Sequence, residues 1–191
     1  MLPDLPNLSD PTVQADFISP YNRVKLPQAD YARGGVALLD ASKGLNVKDW
    51  RCEVQDDGVF LSASGVPSFR IETIAGQPKW ISFAFDQNMH YNLAYTLDNS
   101  SAFLYWYDAD RARYVTDALG TVKTPFLRMD DIIDPAFAER ELVLSYIRDG
   151  SLCVRVQHDR FGVEYMLATN AGSAISQCGM NRKRRFQWYC V

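Results

Sequence analysis

The chain has 191 residues, 47% of them hydrophobic and 23% charged, and a net charge of −3. That length holds one domain with a real core, or one domain plus an arm, and the composition excludes a disordered chain. The slight acidity excludes a general pull toward nucleic acid or an anionic membrane, and no apolar run approaches the ~20 residues of a membrane span.

The opening stretch, MLPDLPNLSDPTVQADF, has no basic start and no apolar h-region, so it does not read as a signal peptide, and folding in a cytosol is expected. Five of the nine prolines (Pro3, Pro6, Pro11, Pro20 and Pro27) fall in the first 27 residues. Proline fixes φ and biases its predecessor toward extended conformations, which predicts an extended N-terminal arm over residues 1–33. Leu2, Leu5, Val13, Phe17, Ile18 and Tyr21 are not what a solvated tail carries. They are interface candidates, expected to be buried against a neighbouring subunit or partner protein.

A β domain is expected over 34–191. Residues 32–45 carry the breakers RGG and SKG and read as loop. The first hairpin joins 50–54 to 59–62 through Asp56-Asp57-Gly58. Strands follow at 80–86, 91–97, 102–107 and 113–116, then at 126–130 and through the segment 142–157. Tyr, Phe, Trp, Val and Ile dominate them, which suits a pleated, half-buried surface. Residues 135–141 are the one helix candidate, a short one, and 184–190 reads as a C-terminal strand. The chain is predicted to be all-β.

LSYIRDGSLCVRVQHDRFGVEY (144–165) lies without a gap on LAYTLDNSSAFLYWYDADRARY (93–114) when shifted by 51 residues. Leu93 meets Leu144, Tyr95 meets Tyr146, Asp98 meets Asp149 and Asp108 meets Asp159. This reads as a degenerate repeat of an antiparallel β-meander, with four-stranded units at about 79–118 and 124–168. Such units are propeller-blade-like, or halves of a sandwich. A two-residue turn at Asp149-Gly150 would pair Ile147 with Leu152, Ser145 with Val154 and Val143 with Val156 on an apolar face. Tyr146 with Cys153, Leu144 with Arg155 and Leu142 with Gln157 would then form a mixed face. His158 and Asp159 fall at a strand end, where no histidine is required, and Asp108 and Asp159 are expected to accept hydrogen bonds from the turn amides that follow them. Arg155 and Arg160 are left to partner contacts or surface pairs.

Cys52, Cys153, Cys178 and Cys190 are too far apart for a CxxC zinc or redox pair and read as free, partly buried thiols. MDDIID (129–134) has a DDxxD spacing, but it ends a strand and faces no second acidic cluster, so solvated turn carboxylates are expected. DADRAR (108–113) lacks the glycine and glutamate of a calcium loop. No HExxH, GxSxG or phosphate-cradling glycine loop occurs, so the sequence supplies no catalytic, metal or cofactor residues. NRKRRFQWYCV closes the chain with Arg182, Arg184 and Arg185 beside aromatics. Four basic residues on a slightly acidic chain make a poor nucleic-acid footprint, so these arginines are read as subunit-contact candidates.

Four segments, AFDQNMHYNLAY (84–95), LYWYD (104–108), LSYIRDGSLCVRVQHDRFGVEYMLA (144–168) and GMNRKRRFQ (179–187), closely resemble a family of small structural proteins of tailed bacteriophages. The resemblance covers roughly residues 34 to 191, and departs from the family pattern at Val156, His158 and Lys183-Arg184. It implies a virion protein of the tail or tail tip, assembled in the bacterial host cytoplasm with other virion proteins. It also implies a homo-oligomer in a symmetric ring, and carries no catalytic signature. The alternative is a tail module that binds a host receptor or glycan through Trp106, Tyr107 and Tyr91.

Overall fold

The computed structural model describes residues 31–40, 44–55, 58–63, 66–71, 74, 77–86, 88, 90–97, 101–129, 141–180 and 186–191. Every regular element among them is a β-strand. The first sheet runs β1 (Tyr31–Asp40), β2 (Gly44–Gln55), β3 (Gly58–Ala63) and β4 (Val66–Ile71). The second runs β5 (Trp80–Phe85), β6 (Tyr91–Thr96), β7 (Ser101–Asp108) and β8 (Arg113–Thr121). In the third, β9 (Phe126–Met129), β10 (Leu142–Arg148), β11 (Ser151–Val156) and β12 (Tyr165–Ala168) lie in the same consecutive order. The last has β13 (Ile175–Met180) and β14 (Phe186–Cys190). All pairings are antiparallel.

The sheets stack, and each gap between them holds an apolar cluster. Cys52, Val59, Leu61 and Ile71 of the first sheet meet Ile81, Phe83, Leu93, Tyr95 and Tyr105 of the second. On the opposite face of the second sheet, Ala84, Ala94, Leu104 and Trp106 meet Leu127, Leu142, Leu144, Tyr146 and Cys153 of the third. Phe126, Ile147 and Leu152 then meet Ile175 and Cys178 of the fourth, with Trp80 joining them. The first strands also run side by side, β1 with β5, β5 with β9 and β9 with β13. A middle sheet therefore buries both faces, which explains near-continuous apolar runs such as WISFAF and LVLSYI.

Several expectations need correction. Residues 32–40 and 44–45, read as loop, instead form most of β1 and the start of β2, and β1 takes residues 31–33 into the sheet. Gly34 and Gly35 sit in register opposite Trp50 and Asp49, because glycine keeps the ladder's N–H and C=O groups even though it lends no side chain. The strand β4 was not foreseen; its Pro67 lies on an outer edge, where a missing N–H need break no ladder bond. β8 extends well past residue 116. The arm over 1–30, all of the helix candidate over 135–141 except Glu141 (which belongs to no regular element), the aspartates of MDDIID and Arg182, Arg184 and Arg185 lie outside the described residues.

The β10–β11 register is the expected one, from Val143 opposite Val156 to Ile147 opposite Leu152. Asp149 and Gly150 have φ of 49° and 75°, the paired positive values that a two-residue type I′ turn needs. The ungapped 51-residue alignment does not carry through the hairpins, however. Leu93 pairs with Tyr105 while Leu144 pairs with Arg155, so the offset drops to 50 across the turn. The cause is loop length: Leu97 donates to Ser101 O around a three-residue loop, whereas Arg148 faces Ser151 across two residues. Asp108 thus matches His158 in register, not Asp159. Leu93 and Tyr95 face the sheet before theirs, and Leu144 and Tyr146 do the same.

Candidate functional site

The charged segment after β11 forms a loop that ties the third sheet to the second. Arg160 and Phe161 have φ of 54° and 55°, a left-handed conformation that costs non-glycine residues on the order of 1–3 kcal/mol each. Three backbone bonds hold it: Arg160 N to Gln157 O at 2.7 Å, Phe161 N to Val156 O at 3.0 Å, and Gly162 N to Asp159 O at 2.9 Å. The conformation drives the Phe161 ring into the core, edge-on to Trp106 at 5.2 Å between centroids. Burying a phenylalanine side chain contributes about 1.5–3 kcal/mol, enough to offset much of that strain.

The same conformation sends Arg160 across to β7. Its Nη2 lies 2.5 Å from Asp108 Oδ2 and its Nη1 lies 2.8 Å from Asp110 Oδ2. Asp108 Oδ1 also accepts from the amides of Asp110 (3.1 Å) and Arg111 (3.3 Å), as expected for a carboxylate that caps its turn. Burial pushes the Asp108 carboxyl up, but the Arg111 amide and the Arg160 guanidinium outweigh it and hold the group below the usual range. Asp159 departs from expectation. Among the described residues its carboxylate accepts from the Tyr165 hydroxyl at 2.5 Å and lies 3.3 Å from His158 Nε2, with no turn amide on it.

Behind this link lies a second network. The face of β10–β11 expected to be mixed is the one that contributes to the deepest cluster, with Leu142, Leu144 and Tyr146 fully buried. Arg155 can share that face because its charge is matched. Its Nε donates to Tyr146 Oη at 2.7 Å and its Nη1 to Phe161 O at 3.1 Å, while Nη2 lies 3.5 Å from Glu164 Oε2. Glu164 Oε2 also accepts from Tyr146 and, at 2.5 Å, from Arg148 Nη1. Arg148 Nη2 reaches Leu119 O in the second sheet. Burial raises the Tyr146 phenol well above its ordinary value, and the bond to Glu164 adds to this. In Glu164, burial is outweighed by the Tyr146 bond and the two guanidinium groups, which hold the carboxyl low. A neutral phenol and an ionised carboxylate thus share one set of donors.

A third link centres on Asp86, which is buried. Its Oδ1 accepts from the amides of Asn88 and His90, each at 2.9 Å. Its Oδ2 faces His90 Nδ1 at 3.0 Å and Gln157 Nε2 at 3.4 Å. Gln157 Oε1 in turn accepts from Leu142 N at 3.2 Å, so this side chain too bridges the two sheets. The His90 ring stacks on Tyr107 with centroids 3.7 Å apart. His158 is exposed, and Glu141 Oε2 accepts from its backbone N at 3.0 Å and faces its Nδ1 at 2.6 Å.

Of the interface candidates within the described residues, the structure thus places Arg155 and Arg160 in contacts within the chain. Trp106 is buried, with its Nε1 donating to Asp117 at 2.7 Å, whereas Tyr91 and Tyr107 are partly exposed. The four cysteines are free, as expected, and Cys52, Cys153 and Cys178 are buried. Burial pushes the Cys178 thiol up to about 11 and the others up too, which suppresses the reactive thiolate. Sequence reasoning missed Phe161; the available signal was a lone aromatic inside a polar run. No family model matches the chain, and no curated protein or solved structure matches it either.

Proposed function

We propose that this chain is a structural subunit of a tailed-bacteriophage virion, in the tail or its tip, acting through assembly and not through catalysis. One observation carries the reading: the segments that resemble the phage family supply the framework that locks sheet to sheet. AFDQN ends in the Asp86 turn, LYWYD ends in Asp108, and the stretch from 144 to 168 contributes Tyr146, Arg155, Gln157, Arg160 and Phe161 to the links just described. Side chains whose polar atoms are engaged in holding sheets together suit a rigid building block. The stacked meanders, with their first strands side by side, support reading the sheets as propeller blades and the two middle units as a repeat with a one-residue loop change. Neighbouring copies or other tail proteins would complete a symmetric ring.

Purified particles test this directly. A mass-spectrometric inventory should contain the chain, and cryo-electron microscopy should place its stacked sheets in the tail; particles without the chain would overturn the reading. A second reading, a glycan- or receptor-binding tail module, is favoured by the partly exposed, aromatic-lined rim at Tyr91, Tyr107 and Phe69. A glycan array on the soluble protein separates the two, since a structural subunit should give no saturable signal.

A further inference from the structure

The outer edge of the third sheet is built unlike its neighbours. Edge strands expose unpaired backbone groups, and proteins blunt them with charge or proline. β4 carries Pro67 and Arg70, and β8 carries Arg113 and Asp117. β12 reads Tyr165-Met166-Leu167-Ala168, with neither charge nor proline, and all four residues are exposed. Met166 is 63% exposed, Leu167 50%, Tyr165 42% and the nearby Val163 47%. β12 is short and its register shifts opposite Leu152 and Cys153, but a row of large apolar side chains on an edge without charge or proline marks a place where another strand adds.

The chain's own composition suggests the occupant. Thirty residues precede β1, and their longest proline-free run is TVQADFIS, residues 12–19 between Pro11 and Pro20. Strand alternation would set Val13, Ala15 and Phe17 on one side of that run, and Thr, Val, Phe and Ile favour extended structure. Eleven residues, 20–30, separate it from β1. At about 3.3–3.6 Å each they span up to roughly 40 Å, enough to reach a copy packed alongside. We propose that residues 12–19 of one copy add as a strand to β12 of a neighbouring copy. The choice of a neighbour over the same chain rests on the ring assembly proposed above.

Crosslinking of the full-length protein tests this. One form carries Ala15→Cys and a mass tag, the other Met166→Cys, and the two are mixed at high concentration with a short bifunctional thiol reagent. Cys52, Cys153 and Cys178 are buried with raised pKa values, and the partly exposed Cys190 is replaced by Ser in both forms, which leaves the introduced thiols as the reactive pair. The expected result is a covalent dimer of unlike copies that falls at least tenfold when Leu167→Asp is added to one form or Phe17→Asp to the other. Leu167 is half-exposed, and a circular dichroism spectrum confirms that each variant is folded. Absence of mixed dimer overturns the proposal, and so does mixed dimer that survives both substitutions. A crosslink formed only within a doubly substituted copy, independent of dilution, assigns the arm to its own chain and overturns it as well. The phage reading fails separately, through particles that lack the chain.

Discussion

Asp108 Oδ1 accepts from two turn amides while Oδ2 faces Arg160 Nη2 and Arg111 Nε, so removing this carboxylate strips partners from both its own turn and the neighbouring sheet. Asp108→Ala should therefore lower the chemical denaturation midpoint far more than Asp159→Ala, which gives up one phenol bond and a surface contact with His158 and should cost at most about 1 kcal/mol. Equal costs, or the reverse order, would show that the Asp108 link does not hold the sheets. Tyr146→Phe should cost about 1.5–3 kcal/mol, because its hydroxyl bonds two ionised side chains, Glu164 and Arg155, at the rim of the core. Thermodynamic silence in that variant would mean the network rearranges around the missing oxygen. The capping role of Asp108 was legible in the sequence because an Asx turn is local. Its pairing with Arg160, 52 positions away, was not, since nothing local marks which strand end lies opposite another.

At the level of elements, glycine positions separate two costs that sequence cannot tell apart. Gly120 and Gly172 both have positive φ, 76° and 96°. A Cβ at Gly120 would meet nothing within 4 Å, whereas one at Gly172 would come within 2.5 Å of Val191 O and 2.8 Å of its carbonyl carbon. That oxygen accepts from the amides of Ser173 and Ala174, which anchor the end of the fourth sheet. Gly120→Ala should thus cost about 1 kcal/mol from backbone strain alone. Gly172→Ala should cost more, about 2–3 kcal/mol, and should speed amide exchange across β14. Uniform exchange with equal stability loss would refute the overlap argument. Strands β5 to β7 and β10 to β11 were legible because aromatic and β-branched runs stand between polar turns, and Asp-Gly fixed one register outright. β1 and β4 were hidden by glycines and a proline that read as breakers until a partner strand is beside them.

Across the whole molecule, the links between sheets make stability depend on pH in a stated direction. Asp108 and Glu164 both hold their carboxyls below their ordinary values of 3.8 and 4.5, despite burial, through the hydrogen bonds and guanidinium groups around them. A carboxyl whose value is depressed in the fold contributes stability above its unfolded value and loses it as pH falls toward the folded one. The midpoint of denaturation should therefore be nearly flat from about pH 7 to 5 and drop steadily below about 4.5. At the other end, burial pushes Tyr95 up to about 12 and raises Tyr114 and Tyr146 as well. These phenols stay neutral in the fold while the unfolded chain releases its protons near 10, so stability should fall again above about pH 10. Glu164→Gln removes one of the titrating carboxyls, so its curve should start lower at pH 7 and fall less steeply on the acid side. An acid limb identical in slope to that of the parent protein would place the titrating groups elsewhere. If the parent's midpoint held steady down to pH 3, the sheets would be joined by apolar burial alone.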